Sequence, residues 1–270
     1  MNPDWIVPNW PAPTHVGAVC TTRAGGASSG PYASLNLGDH VGDDAEAVLA
    51  NRHTLQQALA ARPVFLKQVH GTSVAALSKQ TFDATVADGC MTTQPGVACT
   101  IMVADCLPVL LTDLEGTAVA AAHAGWRGLA GAGSDSGNGV LEQTFERFRA
   151  VALEPRSMTA TKIIAWLGPC IGAEAFEVGP EVRAAFVAHD PQAATLFKPL
   201  DQNNRPGKWL ADLQGLARQR LQALGITQIY GNDGSREWCT VSNPSRFFSH
   251  RRDAVVLGGS GRLAACIWLD

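Results

Sequence analysis

Residues 97–103, VACTIMV, 108–111, PVLL, and 118–122, AVAAA, decide the fold. Each is a short apolar run bounded by polar or turn-forming residues, the pattern of strands rather than of long amphipathic helices. Asp113-Leu114-Glu115-Gly116 supplies the turn that links the last two. Asp105 interrupts the stretch from Val97 to Leu111, which is also too short to span a bilayer of about 20 helical residues.

Outward from this centre, strands are predicted over Gly17–Arg23, Pro63–His70, Lys162–Leu167 and Arg262–Leu269. Helical spacing covers Ala45–Ala61, with Asp44 as N-cap, and then Gly139–Ala150, Pro180–Val187 and Leu210–Leu224, the last closed by Gly225. Turn residues dominate Ala24–Pro31 and Asn36–His40. Strands and helices alternate without a regular βαβ rhythm. This predicts a mixed α/β (α+β) fold, a layered sandwich of mixed sheets with flanking helices. With no linker and no internal repeat, residues 1–270 are expected to form one domain.

The composition, 46% hydrophobic and 17% charged, is that of a globular protein with a large core. No basic stretch followed by a long apolar run opens the chain, so a cytoplasmic protein without a secretory signal is expected. Seven cysteines lie scattered without CxxC pairs, as in a protein of reduced thiols. A net charge of −3 argues against a nucleic-acid surface, and neither nucleic acid nor membrane is expected as a partner. The one basic cluster, His250-Arg251-Arg252, is followed by Asp253, which offers an ion pair.

Three segments end an apolar run with a metal-competent side chain beside small or turn-forming residues: Gln68-Val69-His70-Gly71, Ala104-Asp105-Cys106-Leu107-Pro108 and His123-Ala124-Gly125-Trp126-Arg127-Gly128. Strand ends are where side chains from distant segments converge. Two imidazoles and a thiolate make a ligand set suited to Zn²⁺ with an open position, and copper accepts the same set. Their separations match no compact metal motif.

These segments, with Thr21-Thr22-Arg23-Ala24-Gly25-Gly26, Ser34-Leu35-Asn36-Leu37-Gly38, Phe176-Glu177-Val178-Gly179, Cys239-Thr240, the run from Arg246 to Asp253 and Gly261-Arg262-Leu263-Ala264, resemble in order the signatures of the YfiH family, also called the laccase-domain or polyphenol-oxidase family. The resemblance runs from about residue 17 to the C-terminus. It implies a metal held by His70, Cys106 and His123, and activity as a purine nucleoside phosphorylase on adenosine, inosine and methylthioadenosine, with adenosine deaminase activity. A peptidoglycan-editing amidase role and copper-dependent polyphenol oxidation also attach to the family. Ala132 to Asn138 stands as an insertion relative to the family pattern, beside the His123 segment.

Phosphorolysis requires donors for phosphate, and Arg23 and Arg127 are the candidates, each beside glycines. Asp105, an acid in an apolar run, must be paired, and could orient a metal ligand or act as a base. An extended chain would turn it away from Cys106. Asn36, Ser34 and His40 are candidates to line a substrate pocket, and Trp126 and Phe248 to stack a purine. Cys106 with either histidine is equally a nucleophile–base pair for hydrolysis without metal. A multicopper oxidase fills several centres, whereas only two of the seven histidines lie in a ligand context. A binding or structural protein is the remaining alternative.

Overall fold

The computed structural model describes residues 2–133, 137–151, 162–200 and 207–270. Among the described residues thirteen strands run β1 (Val16–Cys20), β2 (Arg62–Phe65), β3 (Val74–Ala76), β4 (Gly89–Thr92), β5 (Val97–Val103), β6 (Leu107–Asp113), β7 (Val119–Ala124), β8 (Ile163–Leu167), β9 (Glu177–Val178), β10 (Phe197–Pro199), β11 (Trp209–Ala211), β12 (Gln228–Gly231) and β13 (Leu263–Leu269). Between them lie helices α1 (Ala45–Ala58), α2 (Trp126–Ala130), α3 (Val140–Val151), α4 (Pro180–His189), α5 (Leu213–Ala223) and α6 (His250–Leu257).

Two mixed sheets dominate, one ordered β1-β13-β5-β2 and the other β12-β8-β6-β7-β4-β3, with a small antiparallel β10-β11-β9 ribbon beside them. The alternation of side chains in β5, β6 and β7 makes the layers. Cys99, Ile101 and Val103 of β5 meet Leu110, Val119 and Ala121 between the two sheets. Ala98 and Met102 point the other way, onto a layer shared with Leu55 of α1. Leu107, Val109 and Leu111 of β6 pack with Phe145 and Phe148 of α3, Phe186 of α4 and Leu216 of α5. The order is therefore helix, sheet, sheet, helices. Strands buried on both faces explain why the central runs are almost uninterruptedly apolar.

The central strands and the helix caps follow the sequence closely. Asp44 accepts from the Ala47 amide at 2.8 Å, and Asp113 closes its turn by accepting from the amides of Glu115, Thr117 and Ala118. Two expectations need correction. Leu210–Leu224 is not one helix: Trp209–Ala211 pairs with β10 and β9, and α5 starts only after Asp212, whose carboxylate caps the Gly215 amide. The strand expected over Pro63–His70 ends at Phe65, because the chain beyond it bends around a carboxylate described below. The short strands β3, β4, β9, β10 and β12, and the helices α2 and α6, were not legible from periodicity. Among the described residues no helix is long and apolar enough to cross a membrane, and all seven cysteines are free thiols.

Of the insertion, residues 134–136 lie outside the described residues. Its flanks follow Gly131, the left-handed cap of α2 at φ 70°, and approach the end of α4, where His189 Nδ1 lies 3.7 Å from the position of a Cβ at Gly137.

Helices α3 and α5 are joined by a buried ion pair, Arg220 to Glu142 at 2.9 Å, with a further Arg220 bond to the Ala130 carbonyl. Removing one partner leaves the other charge buried. Arg220→Met is expected to lower the urea unfolding free energy by about 3–5 kcal/mol, and a change under 1 kcal/mol would contradict this packing role.

Candidate metal centre and its cavity

The site forms where β2, β5 and β7 end and β6 begins. His123 stands on β7 in the row of Val119 and Ala121, opposite Pro108 of β6. Cys106 lies in the turn from β5 to β6 and His70 in the segment after β2. Their ligand atoms all lie within 4.8 Å of one another. Cys106 Sγ is 3.8 Å from His70 Nε2, and the two imidazoles meet edge to face at 4.8 Å between centroids. Gly125 makes room for this approach, since a Cβ there would fall 2.9 Å from His70 and 3.0 Å from Cys106 Sγ.

Asp88, fully buried just before β4, holds two of the three ligands in place. Its carboxylate accepts from His123 Nδ1 at 2.8 Å and from the amides of Val69, His70 and Gly71 at 3.1, 2.9 and 2.7 Å. The amides stabilise His70 at φ 60°, a left-handed backbone that a non-glycine residue seldom adopts. The His123 bond occupies Nδ1 and leaves Nε2 for the cluster. Burial alone would raise the Asp88 carboxyl, but the His123 bond and charge and the loop amides hold it below its ordinary value. Sequence reasoning missed this residue. The signal was present in Val86-Ala87-Asp88-Gly89-Cys90, an acid in an apolar neighbourhood, as for Asp105.

The electrostatics follow. Burial pushes the Cys106 thiol up, yet the charge of His123 and the hydrogen bonds of both histidines prevail and bring it down to about 6. Burial likewise pushes His123 down, and the Cys106 thiolate with Asp88 overcomes it, raising the imidazole to about 9. Without a metal, these shifts favour a thiolate–imidazolium pair near neutral pH.

These residues line a cavity of about 360 Å³, whose walls also include Gln68, Met102, Asp105, Ile171, Phe176, His40, His250, Arg251 and Arg262. Gln68 ties the His70 segment to β5 by two bonds of 2.8 Å to the Met102 backbone. Asp105 does not face away from Cys106, because the chain turns there at φ 88° and leaves extended geometry. Its oxygens accept from the Thr240 hydroxyl and the Arg251 amide, both at 2.6 Å, so it docks the start of α6 on the site.

The other sequence candidates are not brought together here. Arg23 donates to the carbonyls of Ala33 and Pro244 and stacks over buried Phe248. Arg127 is exposed on α2, over Trp126. None of Arg23, Arg127, Trp126, Phe248 and Ser34 lines the cavity, and Ser34 bonds the Arg23 carbonyl. Asn36 is buried and acts through the chain, its Oδ1 accepting from the amides of Gly38 and Arg262. The basic cluster divides: Arg252 pairs with Asp253 at 2.6 Å, while His250 and Arg251 line the cavity.

A family model described as "Multi-copper polyphenol oxidoreductase laccase" matches residues 17–270. The chain belongs to this laccase-domain, or YfiH, family. It is 46% identical to a Pseudomonas aeruginosa protein named a purine nucleoside phosphorylase, over 98% of each chain. Escherichia coli YfiH, which carries the same activity in its name, is equally similar over the same share of each chain. The crystal structure of a Neisseria meningitidis protein superposes with a TM-score of 0.86 at 44% identity, over 99% of each chain.

The donor set fits a metal ion: a thiol whose pKa its neighbours lower, two imidazoles, and a carboxylate fixing the tautomer of one of them. Zinc and copper accept these donors alike.

In metal-stripped protein, iodoacetamide alkylation of Cys106 should rise with pH through about 6 and be level by pH 8, since the lowered pKa makes the reactive thiolate at lower pH. A rate still climbing through pH 9 would contradict the pairing. Asp88→Asn should weaken zinc binding about 10–100-fold by competition with a chelator, with the fold retained.

Proposed function

We propose that this chain is a cytoplasmic, single-domain, metal-dependent purine nucleoside phosphorylase for adenosine, inosine and methylthioadenosine, with adenosine deaminase activity at the same site. One observation carries the reading: a His–Cys–His donor set opens on a concave cavity lined also by apolar Met102, Ile171 and Phe176 and by the guanidinium-bearing Arg251 and Arg262. Its volume lies within the roughly 300–1,000 Å³ of small-molecule sites. The names borne by the Pseudomonas and Escherichia relatives support the same activity.

Phosphorolysis breaks the bond from C1′ to the base nitrogen and forms one from C1′ to a phosphate oxygen, leaving the electron pair on the base. His70, Cys106 and His123 would hold the metal, most simply zinc, which supplies Lewis-acid stabilisation of developing negative charge. Asp88 keeps the Nδ1 proton of His123 and aims its other nitrogen at the cluster. Phe176 and Ile171 offer the purine an apolar wall and exclude water from it. Asp105 acts by position, holding α6 and with it His250 and Arg251 at the cavity. Deamination replaces the purine amino group by oxygen from water and releases ammonia, so it needs no phosphate.

A second reading rests on the Cys106–His70 contact of 3.8 Å and the lowered Cys106 pKa: a cysteine hydrolase cleaving amides of peptidoglycan precursors. Copper-dependent polyphenol oxidation is less well supported. Among the described residues, groupings of three or more metal-competent side chains come to this one cluster.

The deciding experiment incubates protein of measured metal content with adenosine, with and without phosphate, and resolves adenine, ribose 1-phosphate and inosine. Adenine and ribose 1-phosphate should appear only with phosphate, and inosine in both. His123→Ala should abolish both activities. No product from the wild type, with alkylation ending amide cleavage while the metal stays bound, would replace this reading by the hydrolase.

A further inference from the structure

Arg262 is built into the cavity with more support than a strand-end arginine requires. Its amide donates to Asn36 Oδ1 at 2.8 Å. Its aliphatic stem passes over Gly38, where a Cβ would lie 2.7 Å from Arg262 Cγ. One guanidinium nitrogen is anchored on the carbonyls of Ser260 and Gly261 at 2.8 and 3.0 Å. The Asn36-Leu37-Gly38 turn thus fixes the backbone and the stem of one side chain that lines the cavity.

Arg251 reaches the same cavity from the first turn of α6. Its guanidinium bonds the carbonyls of Ala175 and Glu177 at 3.5 and 3.1 Å. Among the described residues no carboxylate lies within salt-bridge distance of Arg251 or Arg262, whereas Arg252, next in the chain, and Arg220 on α5 are each paired with an acid. His40, against Asp39 at 3.4 Å, and His250 also line the cavity. The single carboxylate in the lining, Asp105, has both oxygens occupied by Thr240 and the Arg251 amide. The charges of Cys106 and Asp105 bear on Arg262, but neither side chain bonds a guanidinium, and two guanidiniums held on neutral carbonyls in one concavity would attract a bound oxyanion.

We infer that Arg262 and Arg251 form a subsite for a tetrahedral oxyanion, inorganic phosphate as co-substrate, in the cavity that the His–Cys–His cluster also lines. This deepens the phosphorylase reading and rests on it for the role of the anion, while the binding itself does not. It transfers the task expected of Arg23 and Arg127 to two residues that line the cavity. Asn36 and Gly38 become positioning residues for Arg262.

Arg262→Met keeps the stem over Gly38 and removes the fork. In the metal-loaded enzyme it should raise the KM for phosphate about tenfold or more, as expected for losing charge-assisted bonds, with the KM for adenosine within about twofold. Arg262→Lys should fall between, and Arg251→Met should act in the same direction. Titration calorimetry with inorganic phosphate, and with sulfate as competitor, reads the subsite apart from turnover. Phosphate binding to wild type that Arg262→Met removes supports the subsite even if adenosine is not a substrate, in which case the phosphorylase reading alone fails. Active wild type with the phosphate KM and calorimetry unchanged in both methionine variants overturns the inference. An unchanged phosphate KM with a raised KM for adenosine 5′-monophosphate also overturns it, and assigns the anion to a substrate phosphate ester.

Discussion

The Asp88 carboxylate is the constraint on which the site depends. A buried charge is tolerated only when it is paired and hydrogen-bonded, and this one receives three consecutive backbone amides and an imidazole. The same four bonds do two tasks. They hold His70 in a left-handed backbone that a residue with a Cβ otherwise resists, and they fix which nitrogen of His123 faces the cluster. Through His123 the influence reaches Cys106, whose thiolate is stabilised by the imidazolium that Asp88 supports. Loop geometry, tautomer and thiol ionisation are thereby coupled to one side chain 18 residues from His70 in the chain.

The remainder of the cavity follows the same principle, with buried polar groups of one segment positioning functional groups of another. Asp105 spans from the β5–β6 turn to Thr240 and to the start of α6. Gln68 clamps the His70 segment to the end of β5. Asn36 and Gly38 position Arg262 across more than 220 residues of sequence. These polar links sit at the ends of a rigid double-sheet core, so small side-chain displacements are resisted by packing on both sides.

Much of this was legible. The central strands stand out because burial on both faces leaves a continuous apolar run, and α1 stands out because Asp44 caps it. His70, Cys106 and His123 were legible as metal-competent side chains at the ends of such runs, with the ordered family motifs around them. The strand after Pro63 and the helix at Leu210 were misjudged in extent because hydrophobic spacing does not register a chain bending around a distant carboxylate, or pairing with β9 and β10. Arg23 and Arg127 looked suitable by their glycine neighbours. Neighbours in sequence do not reveal that Arg23 is committed to carbonyls from Ala33 and Pro244.

The sequence by itself determined the class of fold and the layered arrangement of apolar strands, because period and caps are local properties of the chain, and it singled out the three clustered side chains by donor chemistry together with the family motifs around them. The tertiary structure alone decided that Asp88 supports that cluster, that Asp105 binds α6 instead of turning away, and that Arg251 and Arg262 line the cavity. Each of those facts depends on hydrogen bonds and close approaches between segments far apart in the chain, and such contacts leave no periodic trace in sequence.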